Sequence, residues 1–161
     1  MSLDRRIFSR WLKEACWSKA TELPGRDPNR WRLDAAGNPV CKQLRGCLGC
    51  LCHEYDHIVP FSRGGLTTLE NCQILQTRVN RYKGNADDVP YGQLRSWSCS
   101  YQFNQQELDV VEMAVYGDIK RPGRSCRCKS FFELTDGKGN VDNNCLHSAP
   151  ADNSNNKSPI R

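Results

Sequence analysis

The sequence predicts an α+β fold: a strand, a loop, a second strand and a short helix in the middle third, with further helices on either side. Three observations carry this. Ile7, Phe8, Trp11, Leu12 and Ala15 recur at helical spacing, so residues 4–20 read as an amphipathic helix. Residues of β type run from Cys52 to Pro60 and stop at a proline, which cannot continue a central ladder. Asn104 followed by Glu107 has the form of a capping box, with Leu108, Val111 and Val115 on one helical face and Gly117 placed to end the helix.

Between these landmarks the chain divides by local chemistry. Pro24, Gly25, Pro28 and Gly37 break regular structure after the first helix. Arg26, Arg30, Trp31 and Arg32 make a basic cluster in that loop, suited either to gripping phosphates or to packing Trp31 beneath solvated arginines. Ser62-Arg63-Gly64-Gly65 is a loop signal, Cys72 to Leu75 a second apolar run, and Thr77 to Gly84 a short helix with Thr77 as N-cap. Residues 1–40 are thus an N-terminal helix and basic loop packing on a core at 41–120. Residues 121–161, rich toward the end in Asn, Ser, Asp and Pro, read as a disordered tail.

A chain of 161 residues has room for one domain with a modest core. No apolar run reaches the ~20 residues that cross a bilayer, so no membrane partner is expected. Met1 to Ala20 lacks a continuous apolar stretch, which argues against a secretory signal and for an intracellular protein, with nucleus and organelle both open. Arg5, Arg6, Arg10, Lys13 and Lys19 loosely resemble an organellar transit peptide, but Asp4 and Glu14 favour an ordinary first helix. The net charge of +5 suits a polyanionic partner without proving one.

The residues with chemistry lie between Glu54 and Asn85. Asp56-His57 closes the first strand, Asn71 opens the second, and Asn80 and Lys83, three apart, share a helical face. Phosphodiester hydrolysis needs a water, a base to deprotonate it, and positive charge on the phosphate. His57 can be the base. Mg²⁺ takes oxygen ligands and often only one or two carboxylates, which Asp56 and the Asn80 carbonyl would satisfy. Lys83 would hold a phosphate as a point charge, and Arg63, Arg78 and Arg81 suit either backbone phosphates or a solvated surface. Adjacent strand residues point to opposite faces, so Asp56 and His57 share a phosphate only if the strand is distorted there.

The run Glu54-Tyr55-Asp56-His57-Ile58-Val59-Pro60-Phe61-Ser62-Arg63-Gly64-Gly65, then Asn71, then Asn80-Arg81-Tyr82-Lys83, resembles the HNH endonuclease motif in its HNN form. It is similar to the HNH domain of CRISPR effector nucleases and, over Trp11 to Asp118, to small HNH-domain proteins of plants and green algae. The resemblance implies a ββα-metal, treble-clef-like core over 41–120 and a Mg²⁺- or Mn²⁺-dependent endonuclease that nicks double-stranded DNA as a monomer or weak homodimer. His57 would be the base, Asp56 and Asn80 the metal ligands, and Asn71 the residue that ties the loop and orients His57. The alternative is a non-catalytic, cysteine- or zinc-stabilised nucleic-acid-binding module.

Ten cysteines in a chain without a secretory signal point to metal binding or buried thiols. HNH relatives often hold a structural zinc with two Cys-x-x-Cys pairs. Cys47 and Cys50 match the first, while the second would fall on Gln76 and Val79. Two readings stay open: a Zn²⁺ site from Cys41, Cys47, Cys50 and either Cys52 or Cys72, or reduced, buried thiols. His53 is expected on the surface or in packing. His147 and Cys126-x-Cys128 carry no role.

Overall fold

A computed structural model of the chain describes residues 6–122 and the backbone of residues 124–126. The architecture is mixed α and β, with helices around small antiparallel sheets. Helix α1 (Arg10–Lys19) starts later than residue 4 because Ser9 caps it, its side chain accepting from the Leu12 N–H at 3.2 Å. The buried stripe also differs from the predicted one. Phe8, Leu12, Cys16 and Trp17 pack inward, whereas Ile7 and Trp11 stand exposed.

Strands β1 (Thr21–Glu22), β2 (Trp31–Leu33) and β3 (Pro39–Cys41) form an antiparallel sheet that local patterning did not reveal. Each has three residues or fewer, too short to show alternation. In the β2–β3 turn, buried Asp34 accepts from the N–H groups of Ala36, Asn38 and, at 2.6 Å, Gln76. One carboxylate thereby ties this turn to the end of the next sheet.

That sheet is a hairpin of β4 (His53–His57) and β5 (Cys72–Gln76), in register from His53 opposite Gln76 to His57 opposite Cys72. The intervening loop contains a 3₁₀ turn at Phe61–Arg63, closed by Gly64 in the left-handed region. Helix α2 (Thr77–Lys83) follows β5 without a linker. Its N-cap is Gln76 and Thr77 is already helical, its hydroxyl buried without a partner, so the capping role expected of Thr77 is corrected.

Helix α3 (Tyr91–Ser96) was not predicted. Helix α4 (Gln105–Tyr116) has the predicted capping box, Asn104 with Glu107, and ends at Gly117, which has a φ of 78°. Strands β6 (Ile119–Arg121) and β7 (Arg124–Cys126) then pair, so the expected tail does not begin at 121. The remainder of that tail, with Cys128 and His147, lies outside the described residues.

Packing centres on β5, which is buried on both faces. Cys72 and Ile74 meet Phe8, Cys16, Trp17 and Val40, while Leu75 meets Ala36, Val79 and Leu94. Full burial of one such side chain contributes roughly 2 kcal/mol. A third cluster joins Trp31, Cys41, Leu51 and Leu108, with Val111 and Val115 against it as the α4 stripe predicts.

The basic loop takes neither predicted form. Arg26 and Arg30 are buried against α4, where Glu112, fully buried, accepts from Arg26 at 3.0 Å, Arg30 at 2.9 Å and the Trp31 indole at 2.9 Å. Asp109 and Asp118 complete the pairing. Arg32 is spent on the carbonyls of Pro28 and Ala20. These arginines are interior structure and neither grip phosphates nor stand in solvent. No helix among the described residues is long and apolar enough to cross a membrane.

Candidate functional site

Strand β4 sorts its side chains onto two faces. Glu54 and Asp56 point toward α2: Glu54 accepts from Asn80 Nδ2 at 2.6 Å, and Asp56 pairs with Lys83 at 3.0 Å. His53, Tyr55 and His57 point the other way, toward Trp17 and Phe8. Asp56 and His57 therefore do occupy opposite faces, as pleating requires. They meet around the edge of the strand. Beyond its start, where Arg45 bridges to His53, β4 pairs only with β5, and a cavity of about 790 Å³ runs beside it. Glu54, Asp56, His57 and Asn80 all bound this cavity.

The carboxylate of Asp56 is held from two elements. Its Oδ2 accepts from Gln73 at 2.8 Å, its cross-strand neighbour, and faces the Lys83 ammonium. Lys83 is 4 % exposed and also donates to the His57 carbonyl at 2.8 Å. It is placed to fix the Asp56-His57 backbone, not to meet a phosphate in solvent. Asn80 uses its amide nitrogen on Glu54 and is itself part of the cavity wall.

His57 stacks on Phe8 with ring centroids 4.2 Å apart, and its Nε2 lies 3.0 Å from Thr67 Oγ1. In the tautomer in which Nε2–H donates to that hydroxyl, Nδ1 is the basic nitrogen. Burial lowers the imidazole below the ordinary histidine value, Asp56 opposes this, and Lys83 and Arg6 add to it. The ring is thus neutral at physiological pH and able to accept a proton.

Asn71 holds the loop that leaves His57. Its Oδ1 accepts from the Val59 N–H at 2.8 Å, and its Nδ2 donates to the carbonyls of Val59 and Leu66 at 3.0 and 2.8 Å. The loop closes tightly enough to require a glycine: a Cβ on Gly65 would lie 1.8 Å from the Val59 oxygen.

Arg63 and Arg81, the other residues expected to meet phosphate, are exposed at the surface. Arg63 pairs with Asp87 at 2.7 Å and Arg81 with Glu54 at 3.8 Å. Arg78 lies over the Tyr82 ring. His53 is a packing residue and fully buried, its ring nitrogens without well-aligned partners, and burial pushes it down to about 4.

The predicted zinc ligands do not assemble as a set. Cys41 is buried with its thiol 3.8 Å from the Tyr116 hydroxyl, while Cys47 bonds Cys52 and Cys50 bonds Cys99 as disulfides. Cys72 is a buried free thiol on β5, like Cys16 and Cys41. Gln76 stands where a second cysteine pair would begin, and it braces the Cys50–Cys99 link by bonding the Cys50 carbonyl and the Cys99 N–H.

Sequence reasoning missed Glu54, Thr67, Gln73 and Phe8. Gln73 was legible in principle, because hairpin register alone sets it opposite Asp56. Phe8 and Thr67 come from segments whose approach to His57 only the tertiary structure sets. No family model, curated protein or solved structure matches this chain.

Proposed function

We propose that this chain is a metal-dependent endonuclease of the HNH type, built on a ββα-metal core and nicking double-stranded DNA. One observation carries the reading: Asp56 and His57, from the first strand of the hairpin, and Asn80, from the helix that follows the second, bound one open cavity. The tie from Asn71 to the loop after His57 supports it, since this is the role the motif resemblance implies for that residue.

The donors suit a hard cation. Among the described residues no three His, Cys, Asp or Glu side chains converge. A cation would therefore rest on Asp56, the Asn80 amide oxygen, water and the phosphate, the sparse oxygen shell Mg²⁺ accepts. When bound it supplies positive charge to the phosphate and the leaving oxygen.

His57 Nδ1 takes the proton from water as the water oxygen bonds phosphorus. The bond from phosphorus to the departing oxygen breaks, and that oxygen is protonated from solvent. Thr67 and Phe8 hold the ring against rotation, and Lys83 holds the Asp56 carboxylate and the His57 carbonyl. Arg63 and Arg81 can turn to phosphate at little cost, since exposed ion pairs are worth at most about 1 kcal/mol.

The test is conversion of supercoiled plasmid to open circles. Wild type should nick in Mg²⁺ or Mn²⁺ and stop in EDTA, and His57→Ala should bind but not cut. Nicking unchanged by His57→Ala removes the base assignment; cutting in EDTA removes Asp56 and Asn80 from their roles.

A further inference from the structure

Half of the sixteen lysines and arginines at residues 6–122 are already neutralised. Arg26, Arg30, Arg32, Lys42, Arg63, Arg81, Lys83 and Arg121 each face a carboxylate. Of the eight with no ion pair among the described residues, Lys19, Arg78, Arg95 and Lys120 lie apart, whereas Arg6, Arg10, Lys13 and Arg45 gather along two cavities. Arg6, Lys13 and Arg45 line the cavity beside His57. Arg10, Lys13 and Arg45 line a second cavity of about 450 Å³ together with Lys42, Glu14 and Tyr55.

The two cavities share Lys13, Arg45 and Tyr55, so they form one groove leading away from His57. Lys13 sits over the Tyr55 ring at 5.8 Å, which sets its charge above the groove floor. The one carboxylate of the outer half, Glu14, is already paired with Lys42 at 2.6 Å. Uncompensated like charges repel, and gathering them in a walled groove focuses a positive potential there.

We infer that this groove, between α1 and the turn carrying Lys42 and Arg45, seats the sugar–phosphate backbone of a DNA duplex on one flank of the bond being cut. The inference rests on the nuclease reading for the bond, but the groove's charge is independent of the chemistry. A chain of phosphates supplies anions in series, which a single carboxylate ligand would not, and the groove presents its cations in series from Arg6 to Arg10.

The experiment measures duplex DNA binding by the full chain in EDTA, across salt concentrations, for wild type, the double variant Lys13→Gln/Arg45→Gln, and Lys120→Gln as a surface control. Each phosphate contact adds about 0.9 to the slope of log affinity against log salt. The double variant should lose about 1.8 of that slope and bind on the order of tenfold more weakly at moderate salt. Lys120→Gln should match wild type. A double variant with wild-type slope overturns the inference, as does a control that weakens equally. So does polyglutamate of equal charge competing as well as DNA, which would assign the groove to an acidic protein. Plasmid nicking by wild type in Mg²⁺ is scored separately. Nicking with an unchanged slope in the double variant sinks the groove alone, whereas a lost slope without nicking sinks the nuclease reading alone.

Discussion

Lys83 reaches from α2 to place its ammonium 3.0 Å from the Asp56 carboxylate, with side chains 2 % and 11 % exposed. A pair so enclosed is sensitive to loss of either member, because the survivor keeps its desolvation penalty without its partner. Lys83→Ala should destabilise the protein by roughly 3 kcal/mol, read as a shift in the urea midpoint. Mg²⁺ should raise the midpoint of this variant more than that of wild type, by restoring positive charge beside Asp56. Equal stabilisation of both would count against a cation on that carboxylate.

Asn71 makes three hydrogen bonds to the loop following His57. Asn71→Ala should cost about 2 kcal/mol and lower nicking by more than tenfold. Asn71→Asp should do worse, since a carboxylate oxygen would face the Val59 and Leu66 carbonyls in place of a donor. Comparing both variants by thermal melting and plasmid nicking checks the order.

Gly65→Ala tests the same closure from the backbone side. With Val59 oxygen 1.8 Å from the new Cβ, the loop must open. Stability should fall by roughly 2 kcal/mol or more, and nicking should fall with it. Gly92→Ala, where the Cβ meets nothing within 4 Å, is the control and should be neutral or mildly stabilising.

The buried His53 and the half-buried His57 predict pH behaviour of the same sign in different measurements. If His57 is the base of the proposed reaction, its lowered pKa places the acid limb of the rate profile below pH ~6.5, flat above it. Arg6 is one of the charges holding it down, so Arg6→Gln should move that limb upward. His53, pushed down to about 4, favours the folded state only while neutral. Its contribution is complete above the unfolded value near 6.5 and is lost as pH falls toward about 4. Urea midpoints should therefore drop across that window, and less so in His53→Phe.

Glu112 gathers Arg26, Arg30 and Trp31 in the interior. Glu112→Gln leaves two buried guanidinium groups partly uncompensated, although Asp109 and Asp118 remain. The expected cost is about 3 kcal/mol, visible in the unfolding midpoint. The nicking rate of the folded fraction should hold, since none of these residues lines the cavity at His57.

The sequence by itself determined whatever depends on neighbours in the chain. The order of strand, loop, strand and helix, the capping box of Asn104 and Glu107, the stop at Gly117 and the contiguous Asp56-His57 pair are all set within a few residues. Local backbone preferences and side-chain periodicity decide them. Tertiary structure alone decided which charges are buried and what faces the site. Glu112 lies 86 residues from Arg26, so nothing local marks that arginine as interior, although Glu112 does interrupt the apolar stripe of α4 one turn after Leu108. Cys99 bonds Cys50 across 49 residues, which redirected the cysteines that local spacing had grouped with Cys41. Phe8 reaches His57 because α1 packs on β5, a consequence of burying both faces of one short strand.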